Sequence, residues 1–211
     1  MNIKPLKKPE DNEKRRRNRN LIIGAVLILL MILSTVGYAI LEGNVNESQK
    51  NKYNGYEFTT NTGGYWQTKI KLSGQEKTIQ TYFLPKDVEN ISYTGNILLS
   101  DFDGKTIYYV SNNYGSENNA ISALDTELRN YYLRAQSTCS PENENLSFCQ
   151  NLPIKSCDDA SSQTMIIKIN DITNSTPSIS YKNYCLAISG SGIDLTKAVD
   201  KIIFKIYGVM N

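Results

Sequence analysis

The 211-residue chain contains no histidine, and this absence narrows the chemistry that it can perform. Ser-His-Asp and Cys-His nucleophilic systems both require an imidazole, which is also the commonest general base near neutral pH. An enzyme built on this sequence must therefore use carboxylate, lysine or tyrosine side chains. Many zinc sites also depend on histidine, and the chain has no C-x-x-C pair to replace it. We therefore predict neither a metal site nor a cofactor.

Two glycine-containing segments resemble ligand-binding loops only in part. Gly190-Ser191-Gly192 lacks the full spacing of a phosphate-binding loop and the Lys-Ser/Thr that follows it. We interpret this segment as a turn from a strand to a helix. Asp101-Phe102-Asp103-Gly104 begins like a calcium loop, but the following residues do not supply further oxygen ligands at the required spacing. We predict that it forms a hairpin turn between two strands.

Charged residues are missing from a long apolar stretch, residues 21–41. At about 1.5 Å of rise per residue, a helix of this length crosses a hydrocarbon core of about 30 Å. A secretory signal has a shorter apolar region, about 7–15 residues, which ends at a small-x-small cleavage site such as Gly37-Tyr38-Ala39. The length favours a transmembrane helix that contacts the lipid bilayer through residues 21–41. Cleavage after Ala39 is the alternative.

Positive charge is concentrated before the apolar stretch, in residues 1–20, where the local net charge is +5 against +2 for the whole chain. Basic residues beside a membrane span remain in the cytoplasm. We therefore predict a cell-membrane protein with a cytoplasmic head at 1–20 and with residues 42–211 outside the cytoplasm. The basic cluster at 15–17 is explained by this topology and by contact with anionic lipids, so we predict no nucleic-acid partner.

The four cysteines follow the predicted span and are even in number, which is typical of two disulfide bonds in an oxidising compartment. Three connectivities are possible from the sequence. We favour Cys139–Cys149, which closes a short loop, together with Cys157–Cys185, which ties that region to a strand.

Hydrophobic periodicity predicts one folded domain at 53–211, joined to the span by a polar stalk at 42–52. Strand patterns, two of which flank a predicted hairpin turn at Ser73-Gly74-Gln75-Glu76, precede a predicted helix at 119–136 and resume after the cysteine-bearing loop. A second helix is predicted from Asp194, as its N-cap, to a stop at Gly208, with Lys201 among the lysines on its polar face. This order predicts an α+β fold in which one antiparallel sheet packs on two helices.

The aromatic residues Tyr56, Tyr65, Trp66 and Tyr82 cluster in the first third of the predicted domain. On an exposed sheet face they would suit a glycan or an extended peptide. Cross-strand packing explains the same pattern without any ligand. We therefore expect a non-catalytic cell-surface protein that binds a partner protein or a surface glycan. The alternative is a membrane-tethered hydrolase or transferase that uses carboxylates, which would need two close acids in a concave pocket.

Overall fold

The computed structural model describes the backbone of residues 10–43, 50–111 and 115–210. The chain divides into two units between Glu47 and Ser48. In the first unit, α1 (Glu10–Gly43) is a 34-residue helix. The apolar side chains at positions 21–33 are exposed, from 50 % at Val26 to 72 % at Met31.

Parts of three predicted segments lie outside this description. They are residues 1–9 of the head, residues 44–49 of the stalk, and the side chains of residues 34–41 in the predicted span. Among the residues whose side chains are described, no helix is both long enough and apolar enough to cross a membrane.

The second unit contains a four-stranded antiparallel sheet, in the order β1-β2-β3-β4. Its strands are β1 (Lys50–Tyr53), β2 (Tyr56–Thr60), β3 (Trp66–Leu72) and β4 (Gln75–Thr81). The predicted hairpin between β3 and β4 is confirmed, with Ser73 and Gly74 at φ values of 49° and 85° in the turn. Strand β1 overlaps with the end of the predicted stalk.

A six-stranded mixed sheet forms the rest of the β-structure that is described, in the order β5-β9-β10-β8-β6-β7. Its strands are β5 (Ser92–Thr94), β6 (Thr106–Ser111), β7 (Arg134–Thr138), β8 (Thr164–Asp171), β9 (Ser178–Lys182) and β10 (Cys185–Gly190). Only β9 and β10 pair antiparallel, and the other four pairings are parallel.

The α+β class, with an antiparallel sheet and helices, is confirmed, whereas the mixed sheet was not predicted. Parallel neighbours require a long crossover connection, usually a helix. Such a helix, α3 (Ser116–Leu128), joins β6 to β7. It is shorter than the predicted 119–136, because the chain turns after Leu128 and residues 134–136 enter β7.

The predicted hairpin around Asp101–Gly104 is wrong. Residues Leu99–Phe102 form a 3₁₀ turn, and of the two predicted strands only β6 is present. The carboxylate of Asp101 accepts the N–H of Leu98 at 2.9 Å, which holds the turn at its start. Gly104 then donates its N–H to the carbonyl of Tyr131 at 2.9 Å, so it joins the connection before β7 rather than a hairpin.

Helix α4 (Ile193–Ile206) packs on α3, on β10 and on the short helix α2 (Pro85–Val88). Its Phe204 also makes an edge contact with Phe58 of the antiparallel sheet, with ring centroids 5.9 Å apart. Large apolar side chains each stabilise the fold by about 1.5–3 kcal/mol when fully buried. The buried residues of α4 are Leu195, Ala198, Val199, Asp200, Lys201, Ile202, Ile203, Phe204 and Ile206.

Two expectations for α4 require correction. Its N-cap is Gly192 and not Asp194, which lies in the first turn and pairs with Lys197. Lys201 is 5 % exposed, because sheet and helix surround α4 and the lysine donates to the carbonyls of Glu89 and Ile91 at 2.7 Å.

The predicted stop of α4 at Gly208 is confirmed. Gly208 has φ of +69°, and its N–H donates to the carbonyl of Lys205 at 3.1 Å. The next N–H, of Val209, donates to the carbonyl of Phe204 at 2.8 Å. This pair of bonds is a Schellman motif, which glycine favours because the left-handed conformation costs it nothing.

Both favoured disulfide bonds are present, Cys139–Cys149 and Cys157–Cys185. The first closes a sequence separation of 10 residues and the second one of 28. Cross-linking lowers the conformational entropy of the unfolded chain. The bonds therefore stabilise a connection between β7 and β8 that otherwise contains only short 3₁₀ turns.

Candidate functional site

Tyr65 and Tyr82 are the two predicted aromatic residues that the structure brings together. Tyr65 precedes β3 and Tyr82 follows β4, so the pairing of these strands places the two rings side by side. Their centroids are 4.8 Å apart at an interplanar angle of 67°, and their hydroxyl oxygens are 3.5 Å apart. Tyr82 is 45 % exposed, so this aromatic pair reaches solvent.

Tyr56 and Trp66 lie elsewhere in the antiparallel sheet. Both are half-buried and pack against the hydrophobic core. Tyr56 pairs across the first hairpin with Tyr53, and Trp66 lies between Thr60 and Thr81 in the sheet register. Tyr56 therefore does not join the Tyr65–Tyr82 pair, and a binding role for any of the four aromatic residues stays a prediction.

A cleft of about 500 Å³ lies beside Tyr82. Its walls come from the segment after β4, the first turns of α3 and the first turns of α4. The lining residues are Tyr82, Phe83, Ser116, Asn119, Gly192, Ile193 and Thr196. Exposed aromatic and aliphatic groups, with Ile193 63 % exposed, thus stand next to hydroxyl and amide groups. Such a mixture is typical of sites that bind small ligands.

The cleft lies where the parallel strands β6 and β10 lead into helices α3 and α4. Ligands of open α/β sheets commonly bind beyond the carboxyl ends of the strands. Neither helix has a side-chain cap at its N-terminus, where Gly115 and Gly192 are the N-cap residues. Backbone N–H groups at such ends attract oxygen acceptors. The Ser116 hydroxyl donates to the Asp171 carboxylate and is held in place by that bond.

Asp200 lies directly behind the cleft and was not identified from the sequence. Its Oδ2 accepts the backbone N–H groups of Tyr82 and Phe83 at 2.9 and 2.8 Å. The residue is fully buried, and its Oδ1 has no hydrogen-bond partner among the described residues. Burial raises the pKa of Asp200 to about 8, although the two N–H groups oppose this shift. The sequence contains no clear signal for it, because Asp200 directly precedes Lys201 in a helix that also carries Lys197 and Lys205.

A second cavity of about 310 Å³ lies between α3 and β7. At its floor, the hydroxyls of Tyr109 and Tyr132 both donate to Oδ1 of Asp125, the former at 3.3 Å. Nη2 of Arg129 lies 3.2 Å from the other oxygen, Oδ2. Burial and the neighbouring carboxylate raise the pKa of Tyr132 to about 12, so its hydroxyl stays protonated.

Asp159, close to the Cys157–Cys185 disulfide bond, has local partners. The Asp159 carboxylate accepts the N–H of Ser156 at 2.8 Å and pairs with Lys155 at 3.0 Å, and both contacts lower the pKa of Asp159. Among the described residues, no group of three Cys, Asp or Glu side chains is placed to hold a metal ion.

The carboxylate-enzyme alternative requires two acids in one cavity. Each of four cavities lined by described residues of the second unit contains at most one carboxylate. Those carboxylates belong to Glu57, Asp125 and Asp158, and the cleft beside Tyr82 has none. None of these four cavities therefore provides the pair of acids that the carboxylate-enzyme alternative requires.

The chain matches no family model, no curated protein and no solved structure.

Proposed function

We propose that this protein is a single-span membrane protein whose outer domain binds a surface glycan without catalysing a reaction. The observation that carries the proposal is the exposed Tyr65–Tyr82 pair beside the cleft of about 500 Å³. Aromatic faces stack on the apolar faces of sugar rings, and the tyrosine hydroxyl offers a polar contact at the rim. Asn119 and Thr196 supply further hydrogen-bonding groups on the opposite walls.

The membrane part of the proposal depends on the pattern of charge and hydropathy. Residues 1–20 form the cytoplasmic head, residues 21–41 the span, and residues 42–211 the extracytoplasmic part. The exposed apolar side chains at 21–33 support this assignment, because lipid would cover them. Two disulfide bonds in the outer domain support an oxidising compartment.

Glycan binding is tested with the full-length chain in detergent micelles on an array of polysaccharides and oligosaccharides. We expect Tyr82→Ala to weaken binding about ten-fold, because a stacking contact is lost, and Tyr82→Phe to retain most of it. Tyr56→Ala is the matched control, since Tyr56 lies away from the cleft. Equal loss with Tyr56→Ala, or no glycan bound, would refute the proposed function.

The anchor is tested by alkaline extraction of membranes, followed by N-terminal sequencing of the membrane form. We expect the protein to stay with the lipid and to retain residues 1–39. A membrane form that begins at Ile40 would contradict the proposal that residues 21–41 stay in the membrane as an anchor. It would not contradict the proposal that residues 42–211 lie outside the cytoplasm. Protease added to intact cells should digest the outer part and leave the head protected.

A further inference from the structure

Strand β7 is an edge of the mixed sheet and, among the described strands, pairs along its length with β6 only. Four of its five residues, Arg134 to Ser137, are exposed. An exposed edge strand presents a row of unpaired backbone N–H and C=O groups, which can template pairing with another chain.

The direction of the free backbone groups follows from Cys139, which continues β7. Its N–H donates to the carbonyl of Pro153 at 3.0 Å, and its carbonyl accepts the N–H of Lys155 at 2.9 Å. These bonds form a parallel bridge to Ile154, so they face away from β6. Because backbone direction alternates along a strand, the groups of Ser137 and Ala135 face the same way. The protein itself therefore already pairs one residue of this edge with an extended segment.

The cavity of about 310 Å³ adjoins the open edge. Ala135, Gln136 and Ser137 form its strand side, and Asp125 and Tyr132 belong to its helix side. Peptides that add a strand to a sheet gain affinity from main-chain hydrogen bonds and specificity from pockets for alternate side chains. This cavity is placed to receive one side chain of an added strand.

Arg134 indicates which charge an added strand should carry to bind beside β7. Its Nη2 donates to the Tyr108 hydroxyl at 3.3 Å, and among the described residues it has no carboxylate partner. Nζ of Lys155 lies 5.4 Å from the centroid of the same Tyr108 ring, but its charge is paired with the Asp159 carboxylate at 3.0 Å. Arg134 is therefore an exposed cation of the edge that has no carboxylate partner among the described residues, and an acidic side chain on the added strand would pair with it.

We propose that the β7 edge, Arg134 to Ser137, is a docking site for an extended acidic peptide. The peptide adds a seventh strand to the mixed sheet, places one side chain in the cavity beside Asp125, and pairs an acidic side chain with Arg134. This site is separate from the Tyr65–Tyr82 cleft, which is lined by other residues. Loss of glycan binding and loss of peptide binding are therefore distinguishable.

The probe is a blocked, fluorescein-labelled octapeptide of alternating Thr and Val with one central Glu, titrated by anisotropy against the full-length chain in detergent micelles. Two further peptides carry N-methyl groups on alternate amides, one on the odd-numbered and the other on the even-numbered residues. Each therefore has one peptide edge that can no longer donate hydrogen bonds to a neighbouring strand, and the blocked edges of the two peptides are opposite. We expect binding by the parent peptide and by one methylated peptide only. Equal binding by both methylated peptides, or no binding of the parent, overturns the proposal.

Charge reversal tests the pairing with Arg134. We expect Arg134→Glu to weaken binding of the Glu peptide about ten-fold, and a peptide with Lys in place of Glu to recover that loss. Lys71→Glu is the matched control, because it makes the same charge change on an exposed position of the antiparallel sheet. If Arg134→Glu and Lys71→Glu weaken binding equally, long-range charge explains it and the proposal is wrong.

Discussion

Two edge strands of the second unit, β4 and β7, have different contacts with the rest of the chain. At β4, the Gln80 N–H donates to Oε1 of Glu127 at 3.2 Å, and the next N–H groups, of Tyr82 and Phe83, donate to Asp200. Carboxylates from helices α3 and α4 thus occupy the end of the edge. At β7, only Cys139 has a partner on the outer side among the described residues.

The difference shows that side chains from neighbouring helices decide whether an edge strand can pair with a further strand. Closing β4 required two acidic side chains at buried helix positions, Glu127 and Asp200, which are 7 % and 0 % exposed. Each is costly to bury, and each is held by backbone N–H groups. At β7, no acidic side chain among the described residues accepts the N–H groups of the open edge. An edge left open beside a formed cavity is a candidate for a partner, whereas a closed edge holds the layers together.

The largest expected effect comes from Glu127→Ala. Oε2 of Glu127 lies 3.4 Å from Nζ of Lys77, in a contact largely shielded from solvent. The substitution removes the carboxylate that pairs with Lys77, which keeps only neutral partners, the carbonyl of residue 127 and the Tyr207 hydroxyl, and it leaves the Gln80 N–H without its acceptor. We expect a loss of about 3 kcal/mol in the free energy of unfolding, measured by urea denaturation. Glu76→Ala is the control, because the Lys69–Glu76 pair is exposed and should cost less than about 1 kcal/mol.

A second effect concerns pH and Asp200. The ordinary pKa of the carboxyl is 3.8, and the folded value is about 8. Between these values the unfolded chain releases the proton while the folded chain retains it, so stability falls as pH rises from about 4 to 8. Above about 8 both states are ionised, and this contribution no longer changes. Glu127 faces the same carboxyl and adds to the raised pKa.

Asp200→Asn tests this dependence, because the amide is neutral and can still accept the two N–H groups. We expect the free energy of unfolding of the natural chain to fall by on the order of a few kcal/mol between pH 5 and 8, and that of the variant to fall less. Urea denaturation at several pH values measures the difference. Parallel curves for the two proteins would show that Asp200 does not retain its proton.

The smallest effect on the free energy of unfolding is expected from a proline substitution in β7. The matched proline substitution in β4 should have a larger effect. Proline removes one N–H and is tolerated on an edge strand when that N–H is unpaired. Ser137→Pro should therefore cost less than about 1 kcal/mol. Gln80→Pro removes a donor to a buried carboxylate and should cost about 1.5–3 kcal/mol more. Equal losses in urea denaturation would mean that both edges are equally closed.

Local patterns predicted the parts of the fold that depend on nearby residues. The Ser73–Gly74 hairpin, the stop of α4 at Gly208 and the two disulfide bonds are confirmed. The mixed sheet was not predictable in the same way, because its parallel neighbours are far apart in sequence. Strand β8 lies between β6 and β10, and no turn residue marks such a pairing.

The candidate site shows the same limit. Tyr65 and Tyr82 were predicted individually, but the cleft beside them combines three segments around Phe83, Ser116 and Thr196. Only the packing of α3 against α4 brings these segments together. Asp200 was missed because helical periodicity describes which face is apolar. It does not tell whether a second layer will cover the opposite face, as the antiparallel sheet does here.

The position of helix α4 at the end of the sequence determines when the second unit can be completed during synthesis. It packs on β10 and contacts Phe58 of β2, yet it follows every described strand in the sequence. A chain emerging N-terminus first therefore exposes the inner face of each sheet until residues 193–206 arrive. We expect the emerging domain to depend on a holding chaperone during this interval, since long-range contacts form only after the separating chain is complete.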